Sequence, residues 1–245
     1  MKENVKRMDR RKYVVIMAGG SGSRMGADKP KQFLELGDKA ILHRTIEVFL
    51  EACPDVNVIT VLPEEHIAYW KDYCYSRNFI CPQILVKGGI TRFHSVRNAL
   101  EKVPEGAIVA IHDGVRPLVS ADLVRSLFSA AQKADGVIPI VPCIDTMKVL
   151  NRKTWDDCSQ TYSIIPGQIV DRSLLYGAQT PQIFRSETLK AAYRQAYDTS
   201  FTDDASVVEK YGKSLSYIIG ERLNMKITTQ EDLVLAEAVL NIRKA

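Results

Sequence analysis

The densest group of residues suited to chemistry is the glycine-rich segment AGGSGSRMGADKPKQF at residues 18–33. Its glycines allow backbone N–H groups to approach phosphate oxygens without interference from a Cβ atom. Arg24, Lys29 and Lys31 add three cations within eight positions, which offsets the repulsion among phosphate oxygens. Two familiar phosphate signatures fail, because Met25 stands where a dinucleotide fingerprint needs its third glycine and where a P-loop needs its second. The loop therefore predicts a polyphosphate site of another type.

A carboxylate and an imidazole follow a later apolar run. The run at 107–111 ends at His112 and Asp113, and the end of a buried strand is a usual place for a functional carboxylate in an open α/β sheet. We expect His112 to be a packed, hydrogen-bonded imidazole. None of the four histidines lies in an evident catalytic triad.

The elements that must position these residues alternate along the chain. Short apolar runs predict strands, and amphipathic stretches at helical spacing predict helices. The predicted strands lie at 13–17, 56–62, 84–86, 107–111 and 136–141, and the helices at 40–52, from Pro63, at 92–102 and at 121–134. This alternation predicts a Rossmann-like α/β fold, with a mostly parallel sheet and helices on both faces.

The alternation breaks after Pro142. Residues 143–172 contain two extended runs, 146–150 and 162–170, around a polar middle at 151–159. This pattern predicts a hairpin-like β-arm, which must lie against its own domain or a second subunit because an isolated two-stranded ribbon is marginal in water. Helices are expected again at 187–198, 203–211 and 229–243, with a strand at 215–219. We expect residues 1–245 to form a single domain that carries the arm.

Composition narrows the class of protein. Hydrophobic residues make up 46% and charged residues 25%, as in ordinary globular chains and unlike disordered or fibrous ones. A net charge of +4 does not indicate a nucleic-acid partner, and no apolar run approaches the ~20 residues that cross a bilayer. Five widely spaced cysteines without a C-x-x-C pair indicate reduced thiols. We expect a cytoplasmic protein without nucleic-acid or membrane partners.

Six further motifs follow the glycine loop along the chain. They are GGITRFHSV at 88–96, HDGVRP at 112–117, DTMK at 145–148, QTPQIF at 179–184, TDDAS at 202–206 and NMKIT at 224–228. The glycine loop resembles that of nucleotidyltransferases that activate sugars and polyols. The loop and the six motifs together resemble the 2-C-methyl-D-erythritol 4-phosphate cytidylyltransferase family over residues 13–240.

The resemblance implies attack of a polyol phosphate on the α-phosphorus of CTP, with release of pyrophosphate and with Mg²⁺ as cofactor. Arg24, Lys31, Arg172 and Lys226 match the family's catalytic cations, and Asp113 lies near the metal and the ribose. The implied CTP-binding residues are Ala18, Gly19, Gly20, Gly22, Ser23, Gly88, Gly89, Arg92, Ser95 and Asp113.

The same resemblance implies that the acceptor phosphate is held across a homodimer formed through the arm. Thr146 and Arg172 match the family's acceptor residues on the arm, and Lys226 matches a second phosphate contact. Arg116, three residues beyond Asp113, suits the acceptor's phosphate or hydroxyl groups, and Thr202 is an implied contact to its polyol.

Three alternatives stand beside this interpretation. A ribitol-5-phosphate cytidylyltransferase shares the loop and the HDxxRP segment, although DTMK and TDDAS are more similar to the erythritol enzyme. A non-catalytic nucleotide-binding homologue would lack the key cations, which are present. An oxidoreductase with a dinucleotide site conflicts with the missing third glycine.

Overall fold

A computed structural model of the chain describes residues 10–20, 29–156 and 159–244. The strands within this part are β1 Lys12–Met17, β2 Glu35–Leu36, β3 Lys39–Ala40, β4 Asn57–Leu62, β5 Gln83–Lys87, β6 Ile108–Asp113, β7 Gly136–Pro142, β8 Leu150–Asp156, β9 Ser159–Ile164, β10 Tyr176–Ala178, β11 Gln182–Arg185 and β12 Ser216–Ile219. The helices are α1 Ile41–Ala52, α2 Glu64–Ser76, α3 Arg92–Leu100, α4 Ala121–Ala131, α5 Ser186–Ala192, α6 Asp204–Lys210 and α7 Gln230–Lys244.

In the central sheet, the spatial order of the strands differs from their order along the chain. Strand β1 lies between β4 and β6, and β5 pairs with the far side of β4, all in parallel. Strand β7 is joined to β6 through the antiparallel strand β11, and β12 adds in parallel to β7. In parallel sheets the carboxyl ends of the strands share one edge, and the Met17↔Asp113 register places the ends of β1 and β6 side by side.

Both faces of the sheet are covered by helices. Side chains alternate between the two faces of a strand, so Val14 and Val15 of β1 enter different apolar clusters. The first cluster includes Ile46 of α1, and the second includes Val96 of α3. The predicted α/β class, with a mostly parallel sheet and helices on both faces, is confirmed. No helix in the described ranges combines the length and the apolar character that a membrane span requires.

The arm is a hairpin, but its strands do not lie where the apolar runs predicted them. Strands β8 and β9 pair antiparallel as a separate two-stranded sheet with Leu150 opposite Ile164. They occupy most of the polar middle at 151–159, so the predicted strands at 146–150 and 162–170 are wrong for most of their length. Ladder hydrogen bonds join main-chain groups, so a ribbon outside the main sheet needs no apolar strand sequence.

Two short strands and a helix boundary also differ from prediction. Strands β10 and β11 were not predicted, and both pair antiparallel with β7. Strand β11 is only four residues long, too short for a clear periodic signal. The helix predicted at 187–198 is wrong beyond its first half, because α5 ends at Ala192 and Tyr193 already forms its C-cap.

Candidate active site

A cavity of about 260 Å³ opens at the carboxyl edge of the sheet, between the ends of β1 and β6 and the start of α3. Many of the residues singled out from the sequence line it. These are Ala18, Gly19, Gly20, Lys31, Gly89, Arg92, Ser95, Asp113 and Lys226. Four separate motifs, far apart along the chain, therefore meet in one cavity.

The first wall of the cavity is main chain held in place by a buried amide. The N–H of Ala18 donates to the Val61 carbonyl at 2.9 Å, which extends the β1–β4 pairing by one step. The Ala18 carbonyl accepts from Nε2 of Gln32 at 2.9 Å, and Gln32 is 1% exposed. Gln32 lies in the 3-10 turn Lys31–Phe33, so the same turn supports the wall and presents Lys31. Sequence reasoning missed Gln32, whose only signal was its place beside the predicted cation.

The opposite wall is the turn between β5 and α3. The Ser95 hydroxyl accepts from the N–H of Gly89 at 2.9 Å and donates to the Thr91 carbonyl at 2.9 Å. A Cβ atom on Gly89 would lie 2.5 Å from Cβ of His94, so this close approach of backbone and helix requires glycine. Gly88 lies next to it, and its N–H donates to the Leu62 carbonyl at the end of β4.

Asp113 is the electrostatic centre of the cavity. Its Oδ2 atom lies 3.3 Å from Nε of Arg116 and 3.1 Å from Nζ of Lys226, and its Oδ1 atom lies 4.0 Å from Nη2 of Arg92. Burial alone would raise the pKa of Asp113, but the charges of Arg92, Lys226 and Arg116 hold that pKa far below the usual range for an aspartate. Asp113 is therefore a permanent anion surrounded by cations.

The segment 224–227 positions Lys226 by binding to the end of β6. Arg116 donates from Nη1 to the Asn224 carbonyl at 2.7 Å, and the N–H of Ile227 donates to the Val115 carbonyl at 2.9 Å. Asn224 is buried and donates from Nδ2 to the Thr180 carbonyl. Lys226 is thus fixed at the cavity between two anchored neighbours.

His112 supports the site but does not line the cavity. Its Nε2 donates to the Arg116 carbonyl at 3.1 Å, and its Nδ1 accepts from the Thr180 hydroxyl at 3.1 Å, which in turn accepts from the N–H of Asp113. Complete burial lowers the pKa of His112 to about 4, so the ring is neutral at physiological pH. The expected packed, hydrogen-bonded imidazole is confirmed.

Other predicted residues lie away from the cavity or outside the described part. Arg24, Gly22 and Ser23 fall outside the described residues. Thr146 and Arg172 lie in the arm region, where Arg172 donates from Nη1 to the Ile144 carbonyl at 2.7 Å. Thr202 precedes α6, and its N–H donates to the Ser206 hydroxyl. Neither Thr146, Arg172 nor Thr202 lines the cavity of its own chain within the described residues.

Asp113 is a carboxylate of the cavity that could serve as the protein ligand of a magnesium ion. No group of three or more His, Cys, Asp or Glu side chains in the described ranges is arranged to bind a metal. Mg²⁺ commonly uses one or two protein carboxylates, substrate phosphate oxygens and water. Oδ1 of Asp113 lies 4.0 Å from Nη2 of Arg92, whereas the contacts from Arg116 and Lys226 reach Oδ2.

A doubly wound sheet with a cationic, glycine-lined cavity at its carboxyl edge is typical of α/β enzymes that bind nucleotides. The family model described as "IspD: 2-C-methyl-D-erythritol 4-phosphate cytidylyltransferase" matches residues 13–242. The chain belongs to this family, whose members are nucleotidyltransferases. The resemblance stated from the motifs is therefore confirmed.

The chain is similar to individual relatives over nearly their whole length. The chain is 42% identical over 230 residues to the 2-C-methyl-D-erythritol 4-phosphate cytidylyltransferase of Phocaeicola vulgatus, covering 94% of this chain and 99% of that one. The enzyme of the same name from Porphyromonas gingivalis is 43% identical over 235 residues, with 95% and 99% covered. The crystal structure of 4-diphosphocytidyl-2C-methyl-D-erythritol synthase from Anaerococcus prevotii superposes with a TM-score of 0.75 at 28% identity, covering 95% and 97%.

Proposed function

We propose that this protein transfers a cytidylyl group from CTP to 2-C-methyl-D-erythritol 4-phosphate and releases pyrophosphate, as a step of the non-mevalonate isoprenoid pathway. The observation that carries the proposal is the meeting of Lys31, Arg92, Asp113 and Lys226 in one glycine-walled cavity. The named relatives act on the erythritol phosphate, which favours that acceptor over ribitol 5-phosphate.

The reaction needs positioned cations and no covalent intermediate. A phosphate oxygen of the acceptor forms a bond to the α-phosphorus of CTP, and the bond from that phosphorus to the bridging oxygen of pyrophosphate breaks. Negative charge grows on the crowded phosphorus, and preorganised cations stabilise it. We assign this task to Arg24 and Lys31, since Lys31 lines the cavity and Arg24 belongs to the same loop.

Main-chain groups supply the base pocket in this proposal. Ala18, Gly19 and Gly20 on one side and Gly88, Gly89 and Ser95 on the other would read the amino and carbonyl groups of cytosine. The anchoring of Ala18 by Gln32 and of Gly89 by Ser95 supports the assignment, because a rigid backbone discriminates between bases. Gly22 and Ser23 are assigned to the triphosphate.

Asp113 is the residue that would hold Mg²⁺ between the protein and the triphosphate. Bound there, the ion would neutralise phosphate charge and orient the α-phosphate. The charges of Arg92, Lys226 and Arg116 keep Asp113 ionised. Arg116 and Lys226 contact Oδ2, so Oδ1 is the oxygen that would bind the ion.

The acceptor side of the site is proposed to need two copies of the chain. Thr146 and Arg172 lie in the arm region and do not line the described cavity of their own chain, which supports their contribution across a homodimer. Lys226 would hold the acceptor phosphate from the cavity side. Arg116 would contact the acceptor's phosphate or hydroxyl groups, and Thr202 would contact its polyol. Exposed apolar side chains in and around the arm, Ile144, Met147, Leu150 and Tyr162, support burial against a partner.

We also propose that residues 1–245 are one domain that carries the arm, and that the protein works in the cytoplasm. The apolar clusters on the two sheet faces draw residues from both halves of the chain, from Tyr13 to Val208, which supports a single domain. Cys53, Cys74, Cys81 and Cys143 are free thiols, as reducing compartments maintain them. Cys158 lies outside the described residues.

Pyrophosphate release with CTP, Mg²⁺ and a panel of polyol phosphates tests the proposed function. Turnover should be fastest with 2-C-methyl-D-erythritol 4-phosphate. Faster turnover with ribitol 5-phosphate would overturn the substrate assignment, and the absence of release with any acceptor would overturn the activity. Sedimentation of the active enzyme tests the shared arm, since a fully active monomer contradicts it.

A further inference from the structure

Arg92 lies between two carboxylates that come from distant parts of the chain. Its Nη2 atom donates to Oδ2 of Asp204 at 2.6 Å and lies 4.0 Å from Oδ1 of Asp113. Arg92 begins α3 and lines the cavity, whereas Asp204 is in the first turn of α6, 112 positions later. The guanidinium is therefore held by Asp204 and stops short of Asp113.

Asp204 is fully buried and both of its oxygens are used. Oδ1 accepts from the Tyr193 hydroxyl at 2.6 Å, and the Tyr193 ring stacks on Phe93 with 4.7 Å between ring centroids. Burial first, and then the neighbouring negative charge of Asp204, keep the pKa of Tyr193 well above its ordinary value. The hydroxyl thus remains a donor, and the two bonds leave Asp204 a single orientation.

The cap of α6 is supplied by a different residue. Asp203 is the N-cap, since its Oδ1 accepts from the N–H of Ser206 at 2.9 Å, and its Oδ2 accepts from Nε2 of Gln182 at 2.7 Å. The contacts of the Asp204 side chain go to Arg92 and Tyr193 instead. A buried carboxylate that is not needed as the cap, but is bonded to a cation of the cavity, points to a role in the site.

We propose that Asp204 is a positioning residue of the nucleotide site, which holds Arg92 at the cavity wall and away from Asp113. The proposal rests on the proposed function, because it assumes that CTP occupies this cavity. Without Asp204, Arg92 has Asp113 as its nearest carboxylate and would close the 4.0 Å gap to Oδ1. That closure would occupy the oxygen assigned to the metal and remove Arg92 from the wall.

Asp204→Asn tests the proposal, because it keeps the shape of the side chain and removes its charge. Titration of CTP into the protein with Mg²⁺ and without acceptor should give a Kd raised about tenfold or more, as expected for losing a charge-assisted hydrogen bond. The KM for the acceptor should change less than about twofold. Asp203→Asn is the matched control, since asparagine caps helices as well as aspartate, and its CTP affinity should be unchanged.

A double-mutant cycle with Arg92→Met separates positioning from general support of the fold. If Asp204 acts through Arg92, Asp204→Asn adds no more than about twofold to the Kd of CTP in the Arg92→Met background. An effect of Asp204→Asn that persists in that background overturns the proposal. An unchanged CTP affinity in Arg92→Met, or in Asp204→Asn alone, also overturns it.

The outcomes distinguish this proposal from the proposed function. A wild-type protein that binds no CTP refutes both, whereas CTP binding that Arg92→Met weakens and Asp204→Asn does not refutes positioning alone. Tyr193→Phe covers the case in which Asp204→Asn fails to fold, because it deletes one hydrogen bond and keeps the ring. Its Kd for CTP should rise about threefold, and an unchanged Kd contradicts the proposal.

Discussion

Lys226 is the cation whose removal should separate catalysis from folding. Its Nζ atom lies 3.1 Å from Oδ2 of Asp113, and its side chain is 43% exposed. In Lys226→Ala, Asp113 keeps Arg116 at 3.3 Å, so the buried carboxylate is not left unpaired. A partly exposed ion pair contributes up to about 1 kcal/mol. In a chain of this size that corresponds to a Tm lowered by at most about 4 °C.

The catalytic loss should be far larger than the loss of stability. Losing the cation that positions the attacking phosphate for in-line attack should cost on the order of 10² in rate, or about 2.7 kcal/mol. We expect kcat/KM for the acceptor to fall by that factor in a steady-state assay of pyrophosphate release at saturating CTP. A kcat/KM within about threefold of the wild-type value would refute the assignment of Lys226 to the reacting phosphates.

The chain contains a matched control for this experiment. Lys12 makes an ion pair with Asp55 at the same distance of 3.1 Å, but it lies at the opposite end of β1, about 17 Å from the cavity edge for six residues of strand. Lys12→Ala should lower Tm by a similar small amount and leave kcat/KM unchanged. A parallel loss of activity in Lys12→Ala would mean that the assay reports folding.

Other perturbations give contrasting results. In Gly89→Ala, the new Cβ would lie 2.5 Å from Cβ of His94. The free energy of unfolding, measured by chemical denaturation, should therefore fall by about 1–3 kcal/mol, and CTP affinity should also fall. A variant with unchanged stability and affinity would show that the turn is not rigid. Because the pKa of Asp113 is depressed in the folded protein, its contribution to stability is present above its unfolded pKa and is lost as pH falls through the folded one. The unfolding free energy of the wild type should therefore fall more steeply below pH ~4 than that of Asp113→Asn, and equal slopes would contradict the cation cluster. Lys31→Ala should keep its circular dichroism spectrum and lose most turnover, so near-normal kcat would refute its role. Arg172→Ala should raise the KM of the acceptor much more than the Kd of CTP, and equal effects would remove it from the acceptor site.

The fold was predictable where one physical rule governs a segment. A strand buried on both faces is a continuous apolar run, so β1 and β6 were predicted within one residue of their observed starts. Strand β11 was not predictable, because it is short and its position is set by pairing with β6 and β7. The hairpin β8–β9 forms by main-chain pairing within a polar segment. The pattern of apolar runs therefore did not locate its strands.

Some residues of the candidate site were likewise predictable from the sequence, and others were not. Glycines and cations such as Gly89 and Lys31 were found because polyphosphate chemistry requires those residue types at strand ends. Gln32 and Asp204 were missed because their tasks are defined by partners, the Ala18 carbonyl and the Arg92 guanidinium, that only the folded chain brings near. A buried polar residue is recognisable once its hydrogen bonds are known.

The location of CTP is the central claim, and a crystal structure of the protein with α,β-methylene-CTP and Mg²⁺ tests it most directly. The account predicts cytosine between the backbone of Ala18 and Gly89, the α-phosphate beside Lys31, and the metal at Asp113. An analogue bound outside this cavity, or one whose triphosphate points away from Lys31 and Asp113, would contradict it.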